Sequence, residues 1–115
     1  MKAFLRQKRV ASLIKEELSH LLIEEIQDFI SGLITVTRVE MTPDLKTAHI
    51  YLTIFGGEKE PTLRLLERKK GYLRKIIASK VKLKYNPLLI FSLDPSSDYE
   101  ARIDKILKII KKNEK

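Results

Sequence analysis

From Thr47 to Phe55 the chain alternates without a slip. Ala48, Ile50, Leu52 and Ile54 fall on one side of an extended strand; His49, Tyr51, Thr53 and Phe55 fall on the other. A helix would scatter that set around its cylinder, so the segment reads as a strand with one face under helices and one less covered. Gly56-Gly57 ends it. Just upstream, Thr42-Pro43-Asp44-Leu45-Lys46 supplies a turn, with proline preset for a first turn position. Leu33 to Met41, rich in Thr, Val and Ile, then becomes the antiparallel partner strand.

The remaining apolar residues recur at helical spacing. Val10, Leu13, Ile14, Leu18, Leu21, Leu22 and Ile26 predict a helix from Arg9 to about Ile26, with Glu16, Glu17, Glu24 and Glu25 elsewhere on its surface. Ser31-Gly32 breaks it. Pro61 suits the first turn of a second helix, whose stripe is Leu63, Leu66, Leu73, Ile77 and Val81. That stripe is interrupted at Lys70-Gly71. A glycine inside a helix costs about 1 kcal/mol relative to alanine. Together with a lysine at an apolar position, it predicts a kink with positive φ at Gly71. Pro87 biases Asn86 away from helix, so the helix should stop by Tyr85.

Leu88 to Asp94 reads as a third strand, apolar on both faces at its start. Ser97-Asp98-Tyr99-Glu100 matches a capping box, and Tyr99, Ile103, Ile106, Leu107 and Ile110 predict a last helix. The expected order is α-β-β-α-β-α, with the second helix kinked. Strand, helix, strand favours a parallel crossover between the second and third strands. The fold class is therefore α+β: a three-stranded mixed sheet with helices on one face.

The 115 residues suffice for one domain with an ordinary core, taken as 1–115 with fraying near 1–4 and 112–115. With 43% hydrophobic and 33% charged residues the chain is globular, not disordered. No cysteine is present, which excludes disulfides and thiolate metal sites and fits a reducing compartment. The opening MKAFLRQKRV lacks a signal-peptide pattern and no apolar run approaches a membrane span, so the expected location is the cytoplasm.

Charge points to a partner. Residues 61–85 carry nine Lys/Arg against one acid, Glu67, and so hold the chain's whole net charge of +8. A solvated helix usually mixes signs, because like charges at i,i+4 cost a few tenths of a kcal/mol. Arg64, Arg68, Lys75 and Lys82 fall within about 40° on the side away from the apolar stripe. Lys69, Lys70, Gly71, Arg74, Lys80 and Lys84 complete the candidate surface. Arg6, Lys8 and Arg9 form a second basic cluster ahead of the first helix. The alternatives are a solvated face and a membrane surface. Against the latter, the apolar stripe is needed to cover the sheet and the helix has no Trp to anchor at a lipid interface. A polyanion, and among polyanions a nucleic acid, fits the one-sign face best. The outward residues His49, Tyr51, Thr53 and Phe55 could also offer a base-stacking platform.

Catalysis finds no footing. His20 and His49 are the only histidines, and His20 follows Ser19 on a helix, where neighbours do not face one another. No H-E-x-x-H, P-loop or G-x-G-x-x-G occurs. No enzyme, cofactor or metal site is expected.

The segments RVASLIKEEL with LLIEEIQD, ITVTRVEMTPDLKTAHIYLTIFG, LERKKGYLRKII, NPLLIFSLD and YEARIDKIL together resemble ribosome-binding factor A over roughly residues 6–110. The ordered block from Thr37 to Tyr51 makes the resemblance specific. It implies a type II KH-like domain and a monomeric, non-enzymatic assembly factor of the small ribosomal subunit. Such a factor would bind 16S ribosomal RNA and the free 30S subunit during late maturation and rRNA processing, and at low temperature. The alternative is a generic KH-like binder of single-stranded RNA or DNA. Such domains clamp the backbone with a G-x-x-G loop, which this chain lacks. The family's A-x-G kink falls here on Lys69-Lys70-Gly71, with the glycine retained and the alanine replaced by lysine.

Overall fold

The computed structural model describes residues 2–94. Helix α1 runs Lys2–Leu21 and continues through a π turn, Leu22–Ile26, and a 3-10 turn, Gln27–Phe29. Strands β1 (Leu33–Met41) and β2 (Thr47–Phe55) follow, then helix α2 (Lys59–Val81) and strand β3 (Leu88–Leu93). The helix expected around Tyr99 to Ile110 lies outside the described residues. Helix α1 starts earlier than its apolar stripe does. Leu5 stays exposed there, while the Gln7 amide donates to the Met41 carbonyl at 3.0 Å.

The sheet order is β1-β2-β3, with β1 antiparallel and β3 parallel to β2. All four inward residues of β2 are buried, as the alternation requires. In β1 the pattern would have slipped halfway. Ile34 and Val36 lie inward at even positions, and Val39 and Met41 at odd ones. A bulge at Thr37 absorbs the difference by adding one unpaired residue between Val36↔Leu52 and Arg38↔Tyr51. The Thr37 hydroxyl is shared between the Tyr51 carbonyl, at 3.1 Å, and the buried Asp94 carboxylate.

One core joins Val10, Ile14, Leu18 and Ile26 of the first helical segment to Ile50 and Leu52 of β2 and to Leu66, Leu73 and Ile77 of α2. At about 25 cal/mol per Å2 of apolar surface, such burial is the main term holding the sheet under its helices. Two glycines make a close crossing possible beside it. Gly32 has φ +82°, and a Cβ on it would strike the Phe55 carbonyl and the Gly57 nitrogen; a Cβ on Gly57 would strike the Ser31 carbonyl.

Helix α2 corrects one expectation. It is continuous through Gly71, which has no positive φ, and a Cβ there would meet nothing. The positive φ expected at Gly71 is therefore absent, and the lysine in the apolar stripe has a simpler explanation. Lys70 lays its stem along the half-buried side and reaches back to Glu67, Nζ to Oε2 2.7 Å. The stripe is also shifted, with Thr62 buried and Leu63 and Val81 only half-buried. The helix ends at Val81, before Tyr85, because Lys82 takes a left-handed conformation (φ 55°) and returns its N–H to the Ala78 carbonyl.

Candidate nucleic-acid interface

The apolar stripe of α2 fixes where its cations go. With Leu66, Leu73 and Ile77 against the sheet, Arg64, Arg68, Lys75 and Lys82 are all exposed, as are Lys80 and Lys84. From Arg64 to Val81 the row covers about 26 Å at 1.5 Å per residue. Lys69, Lys70 and Arg74 are half-buried and engaged within the chain. The Lys69 ammonium lies 5.8 Å from the Phe29 ring centre, and Lys70 pairs with Glu67. Arg74 donates from Nε to the Pro87 carbonyl and from Nη2 to the Asn86 carbonyl, both at 2.9 Å. It thereby pins the connection from α2 to β3. Gly71 is exposed on the same helix and contributes open surface.

The second basic cluster divides. Arg6, Lys8 and Arg9 are all exposed on α1. Arg6 meets the far end of the α2 segment, lining a cavity of about 420 Å3 with Pro43, Asp44, Leu45, Lys84 and Tyr85. Lys8 lies instead beside Glu40 and Met41 of β1. The first and last parts of the candidate surface therefore converge at the β1–β2 turn.

That turn is tightly braced. The Thr42 hydroxyl donates to Asp44 Oδ1 at 2.7 Å, the Lys46 N–H donates to the same oxygen at 3.0 Å, and the Leu45 N–H closes onto the Thr42 carbonyl at 2.9 Å. The Thr42 hydroxyl, followed by the Lys46 N–H, holds the Asp44 carboxyl below its ordinary pKa. Two functional candidates escaped the sequence reading here: Lys46 and Tyr85. The Lys46 and Lys84 ammoniums stand 5.6 and 5.5 Å from the Tyr85 ring centre. Parallel pairing was the available signal. It sets Thr47 beside Leu88, so the residues just before each strand must be neighbours.

On the outward sheet face, Tyr51 is not a bare platform. The Arg38 guanidinium lies 4.1 Å from its ring centre and is paired to Glu40 at 3.3 Å. His49 is half-buried opposite Glu40 and Ile90, and His20 is exposed. Among the described residues no group of three His, Cys, Asp or Glu could hold a metal ion, and no helix is long and apolar enough to cross a membrane.

The family model for ribosome-binding factor A matches residues 6–107. The chain belongs to that family. It is 39% identical over 111 residues to ribosome-binding factor A of Halothermothrix orenii, spanning 95% of this chain and 91% of that protein. Its counterpart in Brevibacillus brevis is 43% identical over 107 residues, spanning 91% and 88%. The fold is that of the crystal structure of ribosome-binding factor A from Thermus thermophilus. That match has a TM-score of 0.68 at 26% identity, over 76% of this chain and 94% of the other. A Thermus thermophilus ribosome-binding factor A fitted into a cryo-EM map of its 30S complex also matches. Its TM-score is 0.58 at 30% identity, over 73% of this chain and 94% of the other.

Proposed function

We propose that this chain is a non-enzymatic assembly factor that binds the free 30S subunit as a cytoplasmic monomer. It contacts 16S ribosomal RNA during late maturation and rRNA processing, and at low temperature. The observation that carries the reading is the acid-free run of cations from Arg74 to Lys84, whose Lys75, Lys80, Lys82 and Lys84 are exposed. The 30S complex of the Thermus thermophilus relative supports the choice of partner. Phosphate oxygens are the natural counter-charge, since ammonium and guanidinium groups release condensed counterions when they meet a nucleic-acid backbone.

The contact surface comprises Arg64, Arg68, Lys75, Lys80, Lys82, Lys84 and Arg6. Lys69, Lys70 and Arg74 support it from within, with Gly71 as open helix surface and Lys8 and Arg9 on its margin. Its mechanism is docking: a rigid helix lays a row of charge along structured RNA, held by the core beneath. A generic KH-like single-strand binder would clamp the backbone with a G-x-x-G loop, and no G-x-x-G is present.

Sedimentation of cell extract tests this reading. The protein should travel with free 30S subunits and be absent from 70S ribosomes, and a Lys75→Gln, Lys80→Gln, Lys82→Gln variant should move to the top of the gradient. Equal association with 70S ribosomes, or complete displacement by short unstructured oligonucleotides, would count against it.

A further inference from the structure

Where the two basic clusters converge, the molecule carries a feature that a charged row does not need. Tyr85 is an aromatic ring 51% exposed beside a cavity of about 420 Å3, and its walls come from three separate parts of the chain. Arg6 comes from α1, Asp44 from the β1–β2 turn, and Lys84 and Tyr85 from the connection after α2. The walls are tied together. The Leu88 N–H donates to the Lys46 carbonyl at 2.8 Å, joining the turn to the start of β3. Arg74 clamps the two carbonyls that follow Tyr85, and Asp44 braces its own turn.

A solubilising face has no use for an exposed tyrosine, and a purely electrostatic one has no use for a rigid recess. A ring edged by ammonium groups suits a ligand with a flat π-face and an attached anion. One nucleotide has both parts.

We infer that this recess is a subsite for a single unpaired nucleotide of the bound RNA. The base stacks on Tyr85, and its phosphate is held by Arg6 and Lys84. Lys46 and Lys84 sit near the outer limit for cation–π contact, so a base can take the ring face while the ammoniums swing to the phosphate. Asp44 stands at the recess as an acceptor for an exocyclic amine, which would favour bases that carry one. The inference rests on the RNA-binding reading above and adds a specific contact to it.

The test measures affinity for salt-washed free 30S subunits over a range of salt concentrations. Wild type is compared with Tyr85→Leu, Tyr85→Phe and an Arg6→Gln, Lys84→Gln double variant, each checked by a thermal melt. Loss of one base stack weakens Tyr85→Leu by roughly ten- to a hundredfold without changing the salt slope, and Tyr85→Phe stays within about twofold of wild type. The double variant, which frees that one phosphate, loses about 0.7–0.9 from the slope. A photo-crosslinker at position 85 should label 16S ribosomal RNA.

Wild-type affinity in Tyr85→Leu overturns the subsite while leaving the basic helix intact. Equal loss in Tyr85→Phe overturns stacking in favour of the hydroxyl. A crosslink to a ribosomal protein alone assigns the recess to a peptide and overturns it as well. Absence of binding by the wild type removes the parent reading and the subsite together.

Discussion

From Lys59 to Lys70, α2 carries five bases and two acids; from Tyr72 to Tyr85 the chain carries five bases and no acid. The first half uses part of its charge internally, with Lys70 on Glu67 and Lys69 beside Phe29. In the second half only Arg74 is turned inward, onto two backbone carbonyls. Lys75, Lys80 and Lys82 point to solvent, with no ion pair among the described residues. Both halves nevertheless bury the same kind of apolar side chain. One helix thus combines a uniform packing face with a graded electrostatic one, and the gradient rises toward the β1–β2 turn, where Arg6 joins it.

The largest effects test the uniform face. Leu66→Ala in the first half and Ile77→Ala in the second should each cost about 2–5 kcal/mol by urea titration, since both side chains are fully buried. A cost below about 1 kcal/mol for either would mean that the halves pack differently. Next comes Arg74→Met, which leaves the Pro87 and Asn86 carbonyls without their charged donor and should cost about 1–3 kcal/mol. Lys75→Ala on the same half should stay within about 0.5 kcal/mol, as an exposed cation does. If the two variants melted alike, Arg74 would belong with the outward row.

Smaller effects separate stability from binding. Lys82→Gly should relieve the left-handed backbone and raise stability by about 1 kcal/mol, yet weaken 30S association through the lost charge. Gly71→Ala should also stabilise, by about 0.5–1 kcal/mol, with binding unchanged, because its Cβ meets open space. A destabilised Gly71→Ala would contradict the ordinary helical backbone and open surroundings found at Gly71.

Much of this was legible in the residues. The alternation of β2 fixed its two faces, and the parallel pairing of β3 followed from strand, helix, strand. Glycine was harder to read. Gly71 looked special because it broke an apolar stripe, but composition cannot distinguish a bend from a lysine that snorkels to Glu67. The glycines that geometry does require, Gly32 and Gly57, serve a backbone crossing between residues some twenty-five apart, which no local pattern shows. The bulge at Thr37 was hidden for a similar reason: its partners, Tyr51 and Asp94, are remote in sequence. Charge on the candidate surface was visible as a sum. Its division into inward and outward cations was not, because Arg74 and Lys75 look alike until the loop after the helix is placed.

Salt dependence of binding to free 30S subunits tests the central claim most directly. The slope of log K against log salt counts neutralised phosphates, at about 0.7–0.9 per contact. Replacing Lys75, Lys80 and Lys82 by Gln should flatten the slope by about 2–3, whereas replacing Arg64, Arg68 and Lys69 by Gln should flatten it by no more than about 1–2. An unchanged slope in the first variant, or a larger loss in the second, would contradict the assignment of the RNA contact to the acid-free half of α2.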